Sequence, residues 1–137
     1  MKIAVIDGLG GGLGSQIVNR LKENLDDDVE LIALGTNAVA TTKMIENGAD
    51  SGATGENAIK VNVKKVDLII GPLGLIIPNS MKGEITIAMA DAISNCNAKK
   101  VIIGMKQPHV DMVGLVDKSL NELIDEAVVK IKTIISN

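Results

Sequence analysis

Apolar residues along this chain fall into two alternating rhythms. Four short unbroken runs, Lys2 to Asp7 ("KIAVID"), Val29 to Leu34 ("VELIAL"), Val66 to Ile70 ("VDLII") and Lys100 to Ile103 ("KVII"), end at glycine or at a polar turn. Continuous β-branched runs of this length predict strands buried on both faces of a parallel sheet. Between them the apolar positions recur at helical spacing. Leu13, Ile17, Val18, Leu21 and Leu25 form one such stripe, ended by the polar turn Asp26 to Asp28. Val39, Met44 and Ile45 form a second, after the turn Gly35-Thr36-Asn37 with an N-cap and before a stop at Gly48. Ile85, Ala88, Met89, Ala92 and Ile93 form a third, for which Ser80 is the expected cap. Leu120, Leu123, Ile124, Ala127, Val128, Ile131 and Ile135 form the last, opened by a capping-box pattern from Ser119 to Glu122.

The third unit is less regular. "GADSGATGEN" reads as a loop, and Ala58, Ile59, Val63 and Val66 fit a short helix, so the usual third strand is expected to be missing or vestigial. Thr54 is offered as that helix's cap, with Glu56 favouring its first turn. Pro108 is compatible with a short edge strand over His109 to Val113. Strands alternating with helices imply right-handed crossovers. The expectation is an α/β fold: one domain over residues 1–137, a three-layer, doubly wound, mostly parallel Rossmann-like sheet of about five strands.

Composition narrows the function. Hydrophobic residues make up 46% of the chain but none is aromatic, so the core is built from Ile, Val, Leu, Ala and Met and no base can be stacked on a ring. A net charge of −3 with no basic cluster beyond pairs such as Lys64-Lys65 argues against nucleic acid as a partner. No apolar run approaches a membrane span and the first residues already read as a strand, so a cytoplasmic location without membrane association is expected. A single cysteine, Cys96, suits a reducing compartment, and a single histidine, His109, leaves no metal-ligand cluster.

The candidate chemistry sits at "DGLGGGLGSQ", between the first strand and the first helix. Gly8, Gly12 and Gly14 reproduce a G-x-x-x-G-x-G spacing like that of short-chain dehydrogenases, with Gly10 and Gly11 inserted, while the strict G-x-G-x-x-G spacing is not met. Gly8 and Gly10 are expected to turn the chain at positive φ, Gly12 to admit a phosphate and Gly14 to let helix and sheet approach. The helix N-terminus beyond them, from Leu13, offers unpaired N–H groups and partial positive charge to an anion. Without a lysine followed by Ser or Thr this is not a Walker A loop. Asp7 either accepts hydrogen bonds from the loop or faces a metal-bound phosphate such as one carrying Mg²⁺. The second strand lacks the acid that holds a ribose hydroxyl and the Arg that accepts a 2′-phosphate, leaving Gly35, Thr36 and Asn37 as weaker ribose contacts or helix caps.

The crevice of such a sheet lies at the loops after the first strand and the first strand of the second half. "GPLGLIIPNS" is expected to overhang it, with Gly71, Pro72, Asn79 and Ser80 at the site and Leu73, Leu75, Ile76 and Ile77 as an apolar wall or an assembly surface. "SGATGEN" is a second glycine-bearing turn that can clamp a ligand from the side or serve only as a helix entry. Catalytic machinery is not visible: there is no nucleophile–base pair, HExxH or CxxC. His109 and Cys96 read as a surface histidine and an ordinary thiol. The leading expectation is a binding protein for a phosphate-bearing ligand, a nucleotide or a dinucleotide such as NAD or NADP, in a homodimer. The rival expectations are an interaction or assembly module using Gly71 to Ser80, and a binder of a small anionic metabolite.

The stretches "IAVIDGLGGGLG", "IALGTNAVAT", "GADSGATGENAI", "DLIIGPLGLIIPNSMKGEIT" and "NAKKVIIG" resemble the domain of unknown function 3842 family. The resemblance runs from Met1 to about residue 130. It implies a small Rossmann-like protein of clostridia and other anaerobes and brings no assigned activity or catalytic residue.

Overall fold

Five strands, each followed by a helical segment, make up the chain in a computed structural model that describes all of residues 1–137. The strands are β1 (Lys2–Asp7), β2 (Glu30–Gly35), β3 (Ser51–Thr54), β4 (Leu68–Pro72) and β5 (Lys99–Ile103). The helices are α1 (Gly12–Asn24), α2 (Ala38–Glu46), α3 (Glu56–Asn62), α4 (Ile87–Asn95) and α5 (Leu120–Ser136), with a 3-10 turn at Leu73–Ile76. The sheet order is β3-β2-β1-β4-β5 and every pairing is parallel. The fold is therefore Rossmann-like, and the order reverses between β1 and β4.

The sheet is sandwiched because alternate residues of its strands face opposite layers. Ile3 and Val5 pack with Ile17, Leu21, Met44, Ile124 and Ile131, so α1, α2 and α5 cover one face. Ala4 and Ile6 pack with Ile59, Leu75, Ile85, Met89 and Ile93, so α3 and α4 cover the other. No helix is long and apolar enough to cross a membrane.

The third strand is present. Ser51–Thr54 pairs in parallel with Ile32 to Gly35, although its residues are small. Their smallness is the reason it fits: a Cβ on Gly52 would lie 2.7 Å from Ile45 Cδ1 and 3.0 Å from Thr41 Cγ2, so α2 rests directly on the strand. Thr54 does not cap α3; its hydroxyl donates to Thr41 Oγ1 at 2.7 Å and Gly55, at φ 98°, takes the cap position. The expected edge strand after Pro108 shrinks to one antiparallel bridge, Gln107 to Val110, in an otherwise irregular and mostly exposed connection from Gly104 to Ser119. Nor does Ser80 cap α4. That cap is Thr86, whose hydroxyl accepts from Met89 N at 3.1 Å, while Ser80 Oγ donates to the Gly74 carbonyl.

Candidate functional site

The loop between β1 and α1 is built by a tight turn in which Gly11 N donates to Gly8 O at 3.0 Å. Left-handed backbone falls on Leu9 (φ 51°) and Gly11 (φ 73°), not on Gly8 and Gly10 as expected. Gly11 must be glycine for a second reason, since a Cβ there would lie 2.7 Å from Ala40 Cα. Gly14 is the close-packing position: its Cβ would meet Asp7 Cβ and Met44 Sδ, both at 2.7 Å. A Cβ on Gly10 or Gly12 would enter open space.

Peptide donors in this stretch divide into used and free. Leu9 N donates to Glu84 Oε1 at 2.9 Å, and Gly14 N to Asp7 Oδ2 at 2.6 Å. The N–H groups of Gly10, Gly12 and Leu13 have no acceptor within the protein. α1 starts at Gly12 without an N-cap side chain or an acidic residue in its first turn, and the carboxylate that meets its positive end from within is Asp7, through Gly14 N. These amides border a groove of about 260 Å³ lined by Asp7, Gly8, Leu9 and Gly10 to Leu13 on one side and by Pro72, Met81, Met105, Lys106 and Gln107 on the other. The groove lies over the carboxyl ends of β1 and β4, where the strand order reverses.

Two carboxylates flank the loop, and their pKa values are displaced in opposite directions. Asp7 is nearly buried, and burial pushes its carboxyl above the ordinary range against the opposing N–H groups of Gly14 and Gly8, with the Glu84 charge adding to the rise. Glu84 is held below the usual range, chiefly by the Thr36 hydroxyl and also by the Leu9 N–H and the Asn37 side chain, despite some desolvation. At neutral pH Glu84 is an ion.

Of the residues the sequence pointed to, Asp7, Gly8, Gly10, Gly11, Gly12, Leu13 and Pro72 meet at the groove. Gly14 packs beneath it. Gly35 is sealed by α2, with Thr41 Oγ1 and, at 2.7 Å, Thr41 N against where its Cβ would be. Gly71 is equally closed, against the Ile6 carbonyl. Thr36 and Asn37 lie beside the loop but donate to Glu84, and Asn37 also caps α2 by accepting from Ala40 N at 2.9 Å. Asn79, at φ 66°, and Ser80 belong to the turn that leads into Met81 and do not line the groove. Of the apolar wall only Leu75 is buried; Leu73 and Ile77 are half-buried and Ile76 is exposed. His109 is exposed on the irregular connection, and Cys96 follows α4 at the amino end of the sheet, away from the groove. Glu84, Met81, Met105, Lys106 and Gln107 carried no signal of their own in the sequence; they reach the loop through tertiary structure.

The profile of a family described as Domain of unknown function (DUF3842) matches residues 2–136. The chain belongs to that family. Among curated proteins, no sequence matched this DUF3842 chain. Among solved structures, a dodecameric FMN-dependent UbiX-like decarboxylase from Escherichia coli O157:H7 is similar with a TM-score of 0.53 at 14% identity, over 100% of this chain and 96% of that one. At that identity the likeness is one of fold.

Proposed function

We propose that this protein binds a phosphate-bearing cofactor or metabolite of the nucleotide type, with the phosphate on the N–H groups of Gly10, Gly12 and Leu13. The observation that carries the reading is the set of three unpartnered amides bordering an open groove at the point where the strand order reverses. Lys106, the one cationic side chain lining the groove, adds a charge of the right sign. FMN joins NAD and NADP as a candidate because a protein of the same fold is FMN-dependent. A homodimer is proposed as the working form, with the exposed apolar side chains of Val110, Met112, Val113 and Val116 at its contact.

The test is thermal denaturation of the full chain with FMN, NAD, NADP and inorganic phosphate in turn. A ligand about 100-fold above its Kd adds roughly 2.7 kcal/mol of stability. Gly12→Leu, whose side chain enters open space, should fold normally and lose that gain, and Lys106→Ala should reduce it. Because the chain has no Trp, Tyr or Phe, absorbance above 260 nm in a purified sample reports a bound compound directly. No stabilisation by any of the four would overturn the reading.

A further inference from the structure

The crevice is open on one side only. In a parallel sheet of this order, the second nucleotide of a dinucleotide extends from the glycine loop toward the end of the second strand, where a carboxylate takes its ribose hydroxyl. Here β2 ends at Gly35 and no acid follows it. A carboxylate is nevertheless present, delivered from the connection between β4 and α4. Glu84 Oε1 accepts from Asn37 Nδ2 at 2.8 Å, from Leu9 N at 2.9 Å and from Thr36 Oγ1. Asn37 Nδ2 also donates to the Leu9 carbonyl at 2.8 Å. The end of β2 and the loop after β1 are thus tied together, with Glu84 as the knot.

The crossing segment is seated firmly. A Cβ on Gly8 would lie 2.8 Å from Met81 Sδ and 3.0 Å from Glu84 Oε1, so the segment rests against the first glycine of the loop. Asn79, Met81 and Lys82 hold left-handed backbone at φ 66°, 55° and 56°, a conformation that persists in side-chain-bearing residues only where the surroundings enforce it. Enforcement comes from Asn79 N to Ile85 O at 2.7 Å, Ile85 N to Ser80 O at 3.2 Å and the complete burial of Ile85. Away from Glu84, the groove runs past Pro72 and Met81 to its far wall at Met105, Lys106 and Gln107.

We infer that Glu84 sets the size of the ligand: it closes the β2 side of the crevice and leaves a site for a phosphate monoester of one nucleotide unit or less, excluding dinucleotides. This rests on the reading that the loop amides hold a phosphate. A second nucleotide would have to break the three hydrogen bonds to Glu84 and bring a second phosphate next to its negative charge. A monoester meets neither obstacle, because its phosphate lies on the free amides and its organic part runs toward β5.

The experiment is equilibrium binding of FMN and AMP against NAD, NADP and FAD, first with the unmodified full chain. The monoesters are expected to bind at least about tenfold more tightly than the dinucleotides. Glu84→Ala should raise dinucleotide affinity while leaving monoester affinity within about twofold, whereas Glu84→Gln, which keeps an acceptor for Leu9 N but loses the charge, should retain part of the preference. Thr36→Ala gives a milder opening should Glu84→Ala fold poorly. Dinucleotide binding as tight as monoester binding, or weaker dinucleotide binding in Glu84→Ala, overturns this inference and leaves the phosphate reading standing. Failure of both ligand classes to bind the folded protein overturns the two together.

Discussion

Asp7 carries a carboxyl group where a charged one is unwelcome. Its side chain is nearly buried, and one peptide N–H at 2.6 Å offsets only part of the lost hydration. Since its folded pKa lies above the ordinary 3.8, the folded state holds more protons than the unfolded state between about that pH and the folded value. Stability therefore falls as pH rises through the folded value and stays lower beyond it. Asp7→Asn keeps an oxygen that can accept from Gly14 N and removes the charge. Its melting temperature should match the parent's near pH 3 and exceed it at pH 7; a difference that does not change between those two pH values would refute the assignment. A second residue-scale prediction separates the glycines. Gly14→Ala places a Cβ against Asp7 and Met44 and should cost about 1–3 kcal/mol in urea unfolding, whereas Gly12→Ala, in open space, should be neutral or slightly stabilising. Gly14 was legible from its spacing because close helix–strand packing is a local demand. Gly35 and Gly71 misled for the same chemical reason in reverse: at a strand end a missing side chain serves an approaching helix or carbonyl as readily as a ligand. Glu84 was illegible because its acceptor role links Leu9 and Glu84 across 75 positions, and no local pattern encodes that.

Among the elements, those with a full apolar stripe declared themselves and those made of small residues did not. β3 contributes no buried side chain of its own and exists through backbone pairing with Ala33 and Leu34 under the cover of α2. Period-two patterning cannot reveal such a strand. α4 shows the opposite error. Ile85 continues the helical apolar spacing toward Ser80, yet the helix begins at Ile87, because the left-handed turn at Met81 to Gly83 intervenes and Thr86 supplies the cap. Thr86 also donates to Glu56 Oε1 at 2.6 Å, which fastens the start of α4 to the start of α3. Thr86→Ala should cost about 1 kcal/mol in chemical denaturation, and Thr86→Ser should recover most of it. Equal losses in the two variants would show that the methyl group, rather than the hydroxyl, matters there. The cap of α5 followed the expected pattern in part: Ser119 Oγ accepts from Glu122 N at 3.2 Å, but it donates to the Glu122 carboxylate instead of leaving that carboxylate to the backbone.

At the scale of the whole molecule, the unresolved demand is apolar surface near the groove. The sequence placed it in Leu73 to Ile77, which the 3-10 turn folds inward so that Leu75 is lost to the core. It lies instead on the connection between β5 and α5, where Val110, Met112 and Val116 are exposed and Val113 is 104% exposed. Single exposed apolar residues are ordinary, but four within seven positions of a segment held by one bridge form a patch, and it is the contact surface of the proposed homodimer. Sedimentation of the unmodified chain should show concentration-dependent dimerisation, and Val113→Asp combined with Val116→Asp should leave a monomer with an unchanged fold by circular dichroism. A parent chain that stays monomeric at high micromolar concentration would rule this contact out. The connection begins at Gly104, and its Met105, Lys106 and Gln107 are the far wall of the groove. If the proposed dimer steadies those residues it also steadies one side of the proposed ligand site, and the two equilibria would then be linked, each strengthening the other by the same factor. A bound phosphate monoester should lower the dimer dissociation constant, and the monomeric double variant should bind that ligand more weakly, as should Val113→Asp alone, whose side chain lines neither the groove nor the adjoining pocket at Met105 and Lys106.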